Sequence, residues 1–266
     1  MAGAVVITRP LAQARPLAAR VAALGHAVEV LPLLDITPLP HPTELLAALA
    51  RLAEMPPYYQ LVAFVSPNAI DAAFAHITSV PSGVTWAVVG EGSRLALAAH
   101  GVTADNAQIV SPFDTAHSDS EHLLQTLDLA ALRQRKALII RGDGGRELLA
   151  DGLRAAGAVV DVVPAYRRAV PPLTPKLEAT LRRLLEHDND WLITSSEALR
   201  GLCAWLAELD ARAPGATSSC VVAMQQQHLI VPHARIAETA HNLGFSRITL
   251  TGSGDERLLA ALQSRL

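Results

Sequence analysis

A chain of 266 residues with 25 acidic and 22 basic side chains, a formal net charge of -3, offers no bulk positive field to hold a nucleic acid. Half of its residues are apolar but only 4% are aromatic, so its cores must be built from Ala, Val, Leu and Ile, as in α/β layers, and its length suits one large or two modest domains. The opening MAGAVVITRP lacks the basic stretch and apolar run of a secretory signal, and no run approaches the roughly 18 apolar residues of a membrane span, so a cytoplasmic protein off the membrane is expected.

Short apolar runs bounded by turn residues alternate with longer helical patterns, which predicts parallel strands joined by crossover helices. In chain order the spacing predicts a strand over 5–7, a helix over 11–24, a strand over 28–31 and a helix over 42–53. A strand over 61–65 then precedes a helix over 68–76, and a strand over 86–89 precedes helices over 93–100 and 119–127. A strand over 137–140, a helix over 146–156, a strand over 159–163 and a helix over 175–187 follow. The chain ends with strands over 191–193, 229–231 and 248–250, followed by helices over 196–208, 235–243 and 255–262 respectively. Cys203 and Cys220 stand alone, without CxxC spacing, and read as reduced core thiols; the ten histidines are scattered and form no metal-ligand pattern.

The units are duplicated. A shift of 132 lays residues 5–32 on 137–164 without a gap, matching Arg9 with Arg141, Gly25 with Gly157 and Pro32 with Pro164. A shift of 129 pairs Ser66 with Ser195 and Ala69 with Ala198, and a shift of 143 pairs Gly101 with Gly244. Because the N-terminal unit matches a unit in the middle of the chain, while the other partners lie after residue 190, one domain is expected inside the other. The boundaries expected are 1–35 plus 171–266 for a discontinuous domain and 36–170 for the inserted one. Proline-flanked linkers are expected near 32–41 and 165–172, with a cleft between the lobes.

In parallel α/β sheets ligands bind beyond the carboxyl ends of the strands, where helix N-termini attract anions. The loops there read Thr8-Arg9-Pro10, Ser66-Pro67-Asn68, Gly90-Glu91-Gly92-Ser93, Arg141-Gly142-Asp143-Gly144-Gly145-Arg146, Thr194-Ser195-Ser196 and Pro232-His233-Ala234-Arg235. Their glycines, hydroxyls and arginines suit a ligand with many negative groups. Ser66, Ser93, Ser195 and Ser196 also suit helix N-caps, a role compatible with anion binding. RGDGGRE fits neither nucleotide-binding glycine pattern, and alone leaves a generic turn and a carboxylate site equally open. Arg9 and Arg141, recurring at equivalent strand ends, say more. Tyr166 reads either as a packed strap residue or as a group facing the cleft, and no Ser-His-Asp or Cys-His arrangement is evident.

Read in order, ITRP (7–10), GHAVEVLPLL (25–34), FVSPNA (64–69), VVGEGS (88–93), IIRGDGGREL (139–148), YRR (166–168), TSSEAL (194–199) and PHARIAETA (232–240) with Gly244 and Phe245 resemble the uroporphyrinogen-III synthase family over essentially the whole chain. The joint order of these short fragments is the specific signal. The resemblance implies an α/β fold of two flavodoxin-like lobes with parallel sheets, a two-strand connection and a site in the cleft. It implies a lyase that closes the linear polycarboxylate hydroxymethylbilane into uroporphyrinogen III. In that reaction the hydroxymethyl oxygen leaves as water, the substituted α-carbon of ring D attacks the azafulvene on ring A, and a spiro-pyrrolenine reopens and closes with ring D inverted. No metal or organic cofactor is expected, the task being control of conformation. The expected partner is this tetrapyrrole, met by a monomer that makes transient contact with the preceding pathway enzyme.

The family's tyrosine at the end of the connecting strand maps to Tyr166, expected as the catalytic residue that donates a hydrogen bond to the departing hydroxyl, since a phenol keeps its proton at neutral pH. The family's substrate-contacting loop hydroxyls carry over to Ser66, Ser93 and Ser195. The anion-seeking loops add Arg9, Asn68, Arg141, Gly142, Gly145, Arg146 and Ser196 as expected binding residues. Where many members have a Gly-x-Thr-Thr-like turn, this chain has Pro232-His233-Ala234-Arg235; a hydroxyl is exchanged for Arg235, expected to meet a carboxylate arm itself. Two other readings stay open: a two-lobed binding module without chemistry, which turnover would exclude, and a nucleotide-dependent enzyme, which a nucleotide thermal-shift panel would test.

Overall fold

The computed structural model describes residues 3–54, 57–112, 119–213 and 219–264. Its elements in chain order are β1 (Val5–Ile7), α1 (Leu11–Ala23), β2 (Val28–Val30), β3 (Asp35–Pro38), α2 (Thr43–Leu52), β4 (Leu61–Phe64), α3 (Pro67–Phe74), β5 (Thr85–Val88), α4 (Glu91–Ala99), β6 (Gln108–Val110) and α5 (Ser120–Thr126). There follow β7 (Lys136–Gly142), α6 (Leu148–Ala155), β8 (Val159–Ala169), α7 (Pro175–Leu185), β9 (Asp190–Leu192), α8 (Ser196–Arg212), α9 (Cys220–Gln225), β10 (His228–Val231), α10 (Ala234–Asn242), β11 (Ile248–Leu250) and α11 (Asp255–Gln263). The chain divides into unit 1, Met1–Asp35 with Ala169–Leu266, and unit 2, Ile36–Arg168.

Unit 1 holds a five-stranded sheet of order β11-β10-β9-β1-β2, and unit 2 a six-stranded sheet of order β3-β8-β7-β4-β5-β6. The registered pairs β1 with β2 and β9, β10 with β9 and β11, β4 with β5 and β7, β5 with β6, and β7 with β8 are all parallel. The two orders are one pattern. If β7-β8-β4-β5 are matched to β1-β2-β9-β10, as the internal repeats match them, and β6 to β11 by its place at the sheet edge, both sheets run in the doubly wound order in which the first strand sits beside the third.

β1 and β4 are apolar at every position, and the other central strands are mostly so, because helices cover both faces of each sheet. In unit 1, Val6, Trp191, Ile193, Leu229 and Val231 pack under α7, α8, α9 and α10, while Val5, Ile7, Leu192 and Ile230 pack under α1 and α11. In unit 2, Val62, Phe64, Trp86, Val88, Leu138 and Ile140 meet α2, α3 and α4; Leu61, Ala63, Ala87, Ala137 and Ile139 meet α5 and α6. Each strand therefore alternates between two cores, and a one-residue slip would exchange them.

Three elements escape the periodicity. β3 lies inside the proline-rich stretch read as a linker, and it is legible only once β8 lies beside it. β6 is a three-residue edge strand, and α9 is too short to show a helical period. β8 runs past the predicted end at 163 to Ala169, flanked by β3 and β7.

A buried polar knot fixes the start of β9. The Asn189 amide oxygen accepts Ala4 N–H at 2.7 Å, and its NH2 donates to Leu184 O at 2.6 Å. Gln227 Oε1 accepts both Asn189 N–H at 2.8 Å and Trp191 Nε1–H at 3.2 Å, while its NH2 donates to His187 O at 3.0 Å. Gln227→Leu keeps the volume but orphans two buried donors, at about 1–3 kcal/mol each. We expect a loss of about 2–6 kcal/mol in urea unfolding of the full chain.

Candidate functional site

In a doubly wound sheet a ligand crevice opens at the carboxyl ends of the two neighbouring strands from which the crossovers depart in opposite directions. By the strand orders above, these are β4 and β7 in unit 2 and β1 and β9 in unit 1. Ser66 follows β4, Arg141 and Gly142 end β7, Arg9 follows β1, and Ser195 follows β9. The repeat-matched residues Arg9 and Arg141, and Ser66 and Ser195, thus stand at the switch point of each unit.

Unit 2 places Tyr166 at its switch point through an irregularity of β8. The register pairs Ile140 with Val163 and Arg141 with Pro164, then Gly142 with Tyr166, so Ala165 is an extra residue. Pro164 has no N–H to give to a ladder, and strand prolines gather at such bulges. Strict alternation would send Tyr166 to the face of Val160 and Val162; the extra residue turns it to the face of Val163 and Ala165, where it is 5% exposed.

There the Tyr166 hydroxyl lies 3.1 Å from Ser66 Oγ, a contact between residues 100 apart in sequence. The Ser66 oxygen also accepts Ala69 N–H at 3.2 Å as the N-cap of α3. When the serine proton goes to the phenol oxygen, the phenol proton is left to point at a ligand. The ring itself rests on Gly142: a Cβ there would come within 3.0 Å of Tyr166 Cζ and 3.2 Å of its hydroxyl. Behind the ring, Asp143 N–H donates to Tyr166 O at 2.9 Å, and the Asp143 carboxylate accepts Arg168 N–H at 3.1 Å and faces Arg167 Nε at 3.6 Å. Asp143 is absent from the set expected from sequence; its place inside RGDGG is the available signal.

The arginines are ion-paired. Arg9 meets Asp255, at the start of α11, at 2.6 Å, with its side chain 16% exposed. Arg141, at 18%, meets Glu147 and donates to Arg146 O at 3.0 Å; Arg146 meets Glu121. The two repeat-matched arginines, expected as ligand contacts, are thus each held at a strand end by an acid of their own unit. A ligand carboxylate can replace that acid only by exchanging one pair for another.

The hydroxyls also sort themselves. Ser66 and Ser195 are N-caps, Ser195 accepting Ala198 N–H at 3.3 Å. Ser93 is not a cap: Gly90 caps α4, and Ser93 lies inside the first turn, buried at 3%. Ser196 is the first residue of α8, and its Oγ accepts the Thr239 hydroxyl at 3.0 Å, tying α8 to α10. Thr8, also outside the set expected from sequence, donates from its hydroxyl to Leu192 O at 2.7 Å and ties β1 to β9. Asn68 is in the first turn of α3, Gly145 takes a φ of +141° that favours glycine, and Arg235 is exposed in the first turn of α10. Both cysteines are free thiols, and burial pushes the Cys203 thiol up to about 11. Among the described residues no group of three or more His, Cys, Asp or Glu could hold a metal ion, and no helix is long and apolar enough to cross a membrane.

A family model described as HEM4, uroporphyrinogen-III synthase HemD, matches residues 15–249. The chain is 32% identical to the uroporphyrinogen-III synthase of Salmonella typhimurium over 97% of its own length and 99% of the relative's. It is 30% identical to that of Escherichia coli over the same shares. Among solved structures, a mutant uroporphyrinogen III synthase from the extremely thermophilic bacterium Thermus thermophilus superposes with a TM-score of 0.60 at 17% identity, covering 99% of each chain, which supports the α/β fold with parallel sheets. With a family model matched over most of its length and relatives aligned nearly end to end, the chain belongs to the uroporphyrinogen-III synthase family.

Proposed function

We propose that this chain closes hydroxymethylbilane into uroporphyrinogen III and that Tyr166 assists the first bond cleavage. The observation that carries the residue assignment is the phenol at the unit 2 switch point, its oxygen held by Ser66 and its ring seated on Gly142. The pyrrole nitrogen's electrons expel the hydroxymethyl oxygen. The Tyr166 O–H, donating to that oxygen, stabilises the charge it gains as the C–O bond breaks, and the net loss is water. The azafulvene left behind is captured by the substituted α-carbon of ring D, and the spiro intermediate reopens and recloses with ring D inverted. Most of the selectivity belongs to conformation, since the enzyme needs only to hold the chain so that this carbon is nearest the electrophile.

The substrate's carboxylate arms are assigned to Arg9, Arg141, Arg146 and Arg235, with hydrogen bonds from Ser66, Ser195, Ser196, Asn68, Gly142 and Gly145. Exchange of Asp255 and Glu147 for substrate carboxylates at Arg9 and Arg141 keeps each guanidinium paired throughout, so neither is left uncompensated. Ser93 is left in a packing role. The internal repeats further support residues 36–170 as an insertion into a discontinuous domain formed by 1–35 and 171–266.

Purified protein given hydroxymethylbilane should yield predominantly the type III isomer after oxidation and chromatographic separation; type I at the unassisted rate would overturn the proposal. Tyr166→Phe should lower kcat by at least about tenfold with the melting temperature held, in line with the loss of one proton donor. Gly142→Ala should also slow turnover, because its Cβ pushes the ring off Ser66. Gly144→Ala, with nothing within 4 Å of the added Cβ, should behave as wild type in the same assay.

A further inference from the structure

Beside Tyr166, unit 2 contains a pocket of about 250 Å³. Its apolar walls come from Ile36 on β3, Leu39, Leu45 on α2, Ala72 on α3 and Ala75 at the end of α3. Polar groups enter from β3, from α3 and its end, and from β8: Thr37, Asn68, Asp71, His76 and Tyr166. Asp71 uses one oxygen to meet His100 Nε2 at 2.9 Å, yet its side chain remains 62% exposed.

Size and charge together narrow the occupant. An apolar cavity of about 150 Å³ holds a benzene ring, so this pocket suits one aromatic ring with short substituents and excludes a whole tetrapyrrole. The Asp71 carboxylate can accept a hydrogen bond from a ring N–H, and a pyrrole nitrogen in the reduced tetrapyrrole carries such a proton. Apolar walls with an acceptor for a ring N–H therefore suit a pyrrole ring. Only one ring of the substrate needs to stand next to Tyr166, namely the one that loses its hydroxyl.

We infer that this pocket seats the terminal pyrrole that bears the hydroxymethyl group, with its N–H toward Asp71 and its hydroxymethyl carbon toward Tyr166. The inference rests on the role given to Tyr166 above and adds to it a ring-binding subsite. Asp71 is here a substrate-binding residue, and Ala72 and Ala75 set the space available.

The test fills the pocket without touching Tyr166. Ala72→Leu and Ala75→Leu replace small residues by another good helix former, so both full-length variants should melt like the wild type. Each should lower kcat/KM for conversion of hydroxymethylbilane to the type III isomer by about tenfold or more, chiefly through KM, and Asp71→Ala should also raise KM. If Ala72→Leu fails to fold, Ala75→Leu at the pocket rim gives the reading. Wild-type kcat/KM in a folded leucine variant would overturn the pocket assignment while leaving the role of Tyr166 intact. Failure of the wild-type chain itself to make type III product would overturn both.

Discussion

Parallel pairing between β4 and β7, and between β1 and β9, is the constraint from which the site follows. Parallel neighbours cannot be joined by a tight turn, so every connection must cross back over a face of the sheet, and every strand-to-helix loop emerges at the carboxyl end. Serine, glycine and arginine loops that are far apart in the chain are gathered at one edge of each sheet. The same requirement explains the apolar central strands: the crossover helices cover both faces, so the middle of a central strand has no solvent side to face. Chemistry and core packing are thus two consequences of one hydrogen-bonding pattern.

On that frame, unit 2 differs from unit 1 by a local device. Pro164 interrupts the ladder, Ala165 is the extra residue, and Tyr166 turns to a face it would not otherwise occupy. Just past the matched proline, unit 1 has Leu33 and Leu34, both buried in a core that also contains Trp191 and Trp205. At this strand end, then, one unit has packed leucines and the other carries a hydroxyl. Unit 2 has a glycine at 142 with no side chain to pack. In return it holds a phenol whose oxygen is positioned by a helix cap.

The charges follow a similar logic. Arg9 and Arg141 hold acids from α11 and from the residue before α6, so each is oriented before any ligand arrives. Partly buried guanidinium groups without partners would destabilise the fold. Pairing them with Asp255 and Glu147 removes that cost.

Local chemistry was legible without a structure. Periodicity placed the central strands and most helices, because alternation and the helical repeat depend on neighbours a few residues apart. Ser66 and Ser195 could be read as caps, since a cap is set by the next turn of chain. The internal repeats made the matched arginines visible, and the family fragments carried the chemistry. Only the tertiary structure decided the rest. β3 and β6 are edge strands whose identity depends on the strand beside them, and Ser93 reads as a cap until the helix is seen to start at Glu91. The bulge at Ala165, the bond from Ser66 to Tyr166, the space that Gly142 leaves open and the acids that hold Arg9 and Arg141 all join side chains distant in sequence. No local pattern encodes such contacts, because they exist only after the parallel pairing has brought the strand ends together.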